Sequence, residues 1–281
     1  DGILEAGWLA AIILAPLFFN TFSSRIFEPD RISLVRSLAL VILAAWLVRV
    51  ALQPRPIDRP GLKAFLRSPW IWPVFFLVAS LLLSTLLSIA PRASWLGSYQ
   101  RLQGAFSMAA YLAIFAALLA NLRQRAQVER LFTTLVLTSL PITLYGLLQR
   151  FNLDPIQWGG DVSIRITSTL GNSIFIAAYL IMVFPLTVLR IIQAVQGLAE
   201  AEKSAQSGPV WALRLSGYTF IAILQILAMY FSGSRGPALG WLVSLFFMAL
   251  MFTILARKRW ATLAVVGLTL LAALFLLVFN L

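Results

Sequence analysis

Long, nearly unbroken apolar runs dominate this chain and leave it few ways to fold. Of its 281 residues 60% are hydrophobic, and the mean hydropathy is +0.90. A soluble domain of this size does not bury that much apolar sequence. A bilayer span needs about 20 apolar residues, and such runs occur at 4–22, 34–52, 70–90, 103–121, 129–149, 171–193, 212–231, 236–256 and 260–280. The runs are continuous rather than alternating, which argues against a β-barrel. The predicted fold class is all-α, a polytopic transmembrane helical bundle forming one domain over residues 1–281.

Several classes of chemistry are excluded by what the sequence lacks. Cysteine and histidine are both absent, so no disulfide, no Cys/His metal site and no histidine base is expected, and no cofactor is predicted. The net charge of +12 is read as membrane topology and contact with anionic membrane lipids, not as nucleic-acid binding. None of the ten acidic residues lies in the middle of a span. Proton-coupled transporters keep carboxylates or histidines inside the bilayer, so a transporter or flippase is disfavoured. Asp1 stands where a start methionine would, and the last run reaches Leu281 without a polar flank; the chain is expected to be a segment whose C-terminal part is missing.

Basic residues alternate between the links. Those after the second, fourth, sixth and eighth runs hold 14 of the 22 lysines and arginines. The positive-inside rule places these links in the cytoplasm, with a cytoplasmic N-terminus. The link 53–69 reads as a basic connector, 194–211 as a polar mobile loop closed by Gly208-Pro209, and 150–170 as an external loop.

Three arginines then fall on the opposite, outer side. Arg101, Arg165 and Arg235 each precede the opening of an apolar run. In the stretch FSGSRGPALGW, Ser232 or Ser234 is placed to cap the coming helix, and Pro237 suits its first turn. Gly236 and Gly240 form a GxxxG pair that permits close helix approach. Arg235 beside open backbone N–H groups at a positive helix end suits a phosphate or diphosphate. RITSTLGN repeats the arrangement with Arg165, Ser168 and Asn172, and GSYQRLQG repeats it more loosely with Arg101 and Gln103. Ser234, Gly236, Gln103 and Asn172 are the expected supporting residues. Arg31 and Arg36 lack the Gly/Ser context and are set aside. Asp161 is the best-placed acid for a base, although a lone loop aspartate is more often a turn former.

At these motifs the chain resembles the O-antigen ligase and O-antigen polymerase superfamily of bacterial membrane glycosyltransferases. GSYQRLQGAFSMAAYL, RITSTLGNSIFIAAYL and YFSGSRGPALGW are similar to that family's motifs in order and spacing, over roughly residues 95–260. The family's Gly-Asn-Pro-Asn is replaced here by Gly171-Asn172-Ser173-Ile174. The resemblance implies a multi-pass protein of the bacterial inner membrane that transfers a glycan, without a metal, from a polyprenyl-diphosphate carrier to an acceptor on the outer face. Arg165 and Arg235 would bind the diphosphate, with help from Arg101. The family's proposed base is a histidine in a later external loop, which this chain lacks. Two alternatives follow: a segment ending before its catalytic half, or a non-catalytic structural subunit of a larger membrane complex.

Overall fold

The carbonyls at the end of each helix need partners, and much of this architecture follows from where they are found. The computed structural model describes residues 2–52, 69, 71–156, 158, 161–204, 208–257 and 259–278, with 202–204, 261 and 271–278 described by backbone alone. Among them the regular structure is helical: α1 (Gly2–Leu17), α2 (Glu28–Leu52), α3 (Ile71–Leu86), α4 (Pro91–Leu96), α5 (Ala105–Asn121), α6 (Arg125–Arg150), a 3-10 turn (Ser168–Leu170), α7 (Ser173–Ser204), α8 (Gly208–Phe231), α9 (Arg235–Leu255) and α10 (Arg259–Val278).

The all-helical class follows the prediction, and each predicted run overlaps one helix of sixteen residues or more. Five helices among the described residues, α2, α6, α7, α8 and α9, are long and apolar enough to cross a membrane. α1, α3 and α5 are apolar but shorter. At 1.5 Å per residue the sixteen-residue helices extend roughly 24 Å, against a hydrocarbon core of about 30 Å.

Several predicted boundaries are corrected. α1 stops at Leu17 instead of continuing to 22. The Arg31 side chain takes the Phe18 carbonyl through Nε (3.1 Å) and Nη2 (2.9 Å), and Asn20 donates to Asp30 at 2.7 Å. Residues 18–27 are thereby drawn onto the start of α2, which opens at Glu28 with two acids in its first turn, where the helix dipole favours them. After α3 comes the unforeseen α4, only six residues long, opened by Pro91 and anchored by a 2.6 Å bond from Ser94 to the Ser88 hydroxyl. The polar link expected at 194–211 is helical to Ser204 and again from Gly208; only 205–207 fall outside the described residues. Its Ala, Leu, Glu and Gln are good helix formers, and the Trp211 ring covers Gly197 where a Cβ would collide with it. Gly208-Pro209 therefore opens α8, as proline in a first turn can. The connector expected at 53–69 lies outside the described residues, apart from Pro69.

Two compact units form, Asp1–Thr134 and Leu135–Leu281, and the boundary falls within α6. In the first, Leu4 and Trp8 of α1, Ile42 of α2 and Ala117 of α5 make the core. Gly7 allows that approach, since a Cβ there would sit 2.6 Å from Ile42 Cγ1. In a bilayer, where lipid supplies no hydrophobic drive between helices, close packing at small residues carries contacts of this kind. In the second unit Val136, Val183 and Ile221 join α6, α7 and α8. Gln225 of α8, 1% exposed, donates to the Ser139 hydroxyl of α6 at 2.7 Å, an interhelical bond worth about 0.6 kcal/mol in a membrane setting.

Candidate functional site

The turn between α8 and α9 contains the densest sequence motif, and its geometry starts from carbonyl satisfaction. Gly233 follows the end of α8 with φ +59°, the left-handed conformation that glycine adopts without penalty. Its N–H reaches the Tyr230 carbonyl at 3.1 Å, and the Ser232 N–H reaches that of Ala228 at 2.9 Å. The buried Ser232 hydroxyl donates to the Met229 carbonyl at 2.7 Å and accepts from the Ser234 N–H at 3.3 Å. Two carbonyls remain. That of Phe231 accepts from the Ile166 N–H (3.2 Å), and that of Ser232 from Arg165 Nε (3.1 Å).

Arg165 thus lies flat along the turn. Its Nη2 donates to the Ser234 hydroxyl at 3.3 Å, and a Cβ on Gly233 would stand 3.4 Å from its Cγ and Nε. A cation at the negative end of α8 is favourable, so Arg165 has a structural role whatever else it binds.

The next helix begins differently. Ser234 occupies the cap position of α9 but makes no side-chain cap bond. Its hydroxyl faces Arg165 and the Ser232 carbonyl instead, which corrects the expectation that Ser232 or Ser234 caps this helix. Among the described residues the N–H groups of Arg235 and Gly236 have no acceptor, and the exposed Arg235 guanidinium has no hydrogen bond or ion pair. Arg235 is the first residue of α9 rather than a residue upstream of it. A cation at a helix N-terminus faces like charge. The expected close helix approach at the GxxxG pair is not present among the described residues: a Cβ on Gly236 meets nothing within 4 Å, and one on Gly240 meets only Ile181 Cδ1 at 3.5 Å.

Arg165 is delivered to this turn by the segment after α6. That helix ends with Asn152 in the left-handed region (φ +56°), where the Asn152 N–H bonds the Gln149 carbonyl and the Leu153 N–H that of Leu148. This is a Schellman ending with asparagine in glycine's place. Buried Gln149 then accepts the N–H groups of Thr167 (3.1 Å) and Ser168 (2.7 Å), while the Ser168 hydroxyl donates to the Ile142 carbonyl at 2.6 Å. Gly146, between Ile142 and Gln149 on that face, makes room for Ile166, whose Cδ1 would be 3.0 Å from a Cβ there. Arg150 donates to the Ser163 carbonyl at 2.5 Å and stacks over the Phe231 ring at 4.9 Å. Asn172, a predicted supporting residue, caps α7 by accepting the Ile174 N–H at 2.8 Å.

Two loop carboxylates lie in this unit. The Asp161 carboxylate accepts from the N–H (2.9 Å) and hydroxyl (2.6 Å) of Ser163, and these bonds hold it below the ordinary carboxylate range. Its geometry is that of a turn former. Asp154 accepts from Tyr145 Oη (2.8 Å), Trp158 Nε1 (2.6 Å) and the Ile156 N–H (2.9 Å). Partial burial raises its carboxyl, but the bonds from Trp158, Ile156 and Tyr145 outweigh it and hold the group low. In the sequence Asp154 stands beside Asp161 as an available acid of the central loop, and its spacing to Trp158 is the signal for the turn it makes.

In the first unit Arg101 pairs with Glu28 at 3.6 Å and is 67% exposed, and Gln103 is exposed. Arg36, set aside at first, is the organising residue there. It donates to the Leu96 (2.9 Å) and Leu102 (2.7 Å) carbonyls and to the Ser107 hydroxyl (3.0 Å), and lies over the Phe106 ring at 4.6 Å. Gly97 and Gly104 pinch the loop between them: a Cβ at either would run into the backbone around the other. The structure therefore brings together Arg165 and the 232–235 turn in one unit, whereas Arg101 belongs to the other. Comparison with family models, curated proteins and solved structures finds no match for this chain.

Proposed function

We propose that the turn joining α8 to α9 binds the diphosphate of a polyprenyl-linked glycan. On this reading the chain is part of a membrane glycosyltransferase of the O-antigen ligase/polymerase type. It sits in a bacterial cytoplasmic membrane with its N-terminus inside, and transfers the glycan to an acceptor on the outer face. The observation that carries this is Arg235: an exposed cation at the positive end of its own helix, beside open N–H groups and with no partner among the described residues. An oxyanion answers both the guanidinium and the backbone donors. Arg165, fixed on the preceding turn, adds a second positive group, and its charge would stabilise a departing diphosphate.

The test is binding and turnover of a polyprenyl-diphosphate glycan by the wild type and by Arg235→Gln. Equal affinity and equal rate would remove Arg235 from the function. A second reading, a non-catalytic subunit of a larger membrane complex, is favoured by the engagement of Asp154 and Asp161 in their own turns, which leaves neither poised as a base. Native purification separates the two, because stoichiometric co-migration with other subunits without glycan transfer supports only the second.

A further inference from the structure

At the other end of α9 lies a groove of about 500 Å³, lined by Thr253, Ile254, Arg257, Arg259, Thr262 and Leu263. Both guanidiniums are exposed, and neither has a hydrogen bond or ion pair among the described residues. Thr262 of α10 donates to the Thr253 hydroxyl of α9 at 3.1 Å, so a hydroxyl pair forms part of the wall. The rest is apolar and continues onto exposed side chains: Ile254, Leu255 (80% exposed) and Leu263 (72%). Trp260, 73% exposed, stands next to Arg259, as an aromatic at headgroup depth does. No residue of α9 is buried within the chain, so its flank is open to lipid.

The backbone adds an independent point. Arg257 occupies the position just past the end of α9 with φ +52° and bonds the Ile254 carbonyl through its N–H at 3.0 Å. Glycine is the residue this position ordinarily holds, because a side chain there is strained. An arginine stands where glycine would be more stable.

We propose that this groove binds the phosphate of an anionic phospholipid headgroup, held between Arg257 and Arg259, with its acyl chains along the apolar flank of α9 and α10. This does not depend on the diphosphate site, which lies at the opposite end of the same helix. Two cations suit one phosphate, the hydroxyl pair suits a glycerol headgroup, and the apolar wall suits chains rather than a free anion.

Native mass spectrometry of the detergent-solubilised chain with equal phosphatidylglycerol and phosphatidylcholine tests it. The wild type should retain phosphatidylglycerol preferentially. In Arg257→Gly with Arg259→Gln that preference should fall by about thirty-fold, the effect of two basic side chains at an anionic headgroup. Arg257→Gly suits the turn and should not unfold earlier than wild type. Should it unfold earlier, Arg259→Gln alone, with no backbone demand, must still lower the preference. Retention of the preference in the variants, or equal binding of the two lipids by wild type, would overturn the proposal. Displacement of the lipid by glycerol phosphate at equal concentration would overturn the assignment to a lipid.

Discussion

Arg165 Nε donates to the Ser232 carbonyl at 3.1 Å across 67 positions of sequence, so an arginine proposed to face the diphosphate also completes the end of α8. Two consequences of replacing it must be kept apart. Arg165→Ala removes the donor to a carbonyl at a helix end and should lower stability by about 1–2 kcal/mol. Any loss of diphosphate-lipid binding should accompany that thermal shift. Unchanged melting in detergent would show that the Ser234 hydroxyl, which donates to the same carbonyl at 3.3 Å, suffices without Arg165.

Arg235→Gln should do the reverse. The side chain has no protein partner among the described residues and stands at an unfavourable helix end. Melting should be unchanged or slightly raised, while affinity for a polyprenyl diphosphate falls by roughly tenfold to a hundredfold, as loss of a charged hydrogen bond implies. A large stability loss without a binding loss would make Arg235 structural.

Gly233→Ala places a Cβ on a left-handed backbone and 3.4 Å from the Arg165 side chain. The conformational penalty alone is about 1–2 kcal/mol. Thermal melting reads that penalty, and diphosphate binding reads the displaced arginine; a neutral effect on both would mean the turn is not held as described.

Asp154 links the loop to α6 by accepting three donors. Its folded-state carboxyl titrates lower than usual, so the stability it contributes is present above the unfolded value near ~3.9 and is lost as pH falls through the lower folded value. Asp154→Asn turns an acceptor into a donor facing others, and should abolish that acid transition while costing about 1–3 kcal/mol at neutral pH. Trp158 fluorescence followed from pH 7 to 2 checks this, in a background where the other tryptophans are replaced by phenylalanine. Identical acid profiles for wild type and variant would remove Asp154 as the titrating group.

In the first unit Arg36→Ala should destabilise more than Arg101→Ala. Arg36 holds two carbonyls and a hydroxyl and lies on an aromatic ring, whereas Arg101 makes one exposed ion pair, of a kind worth about 0–1 kcal/mol. Proteolysis within 97–104 is the readout, and equal cleavage in the two variants would contradict it.

The helices were legible because an apolar run of span length has no other stable state. Their ends were not, because they are set by tertiary partners. Nothing near Leu17 announces that Arg31 will take the Phe18 carbonyl, and α4 is too short to have a period. The pairing of RITSTLGN with FSGSRG was foreshadowed by their like composition, but its form was not. The glycines and serines serve mostly to finish α8, and the helix-start function expected of Ser234 is absent. Arg36 was missed because its environment lies 60 to 71 positions away, beyond any local pattern.

Arg36, Arg150 and Arg165 give their hydrogen bonds to neutral carbonyl and hydroxyl oxygens. Such clamps neutralise nothing. Added salt should therefore weaken the preference of the chain for anionic lipid headgroups far sooner than it loosens the turns those arginines fasten.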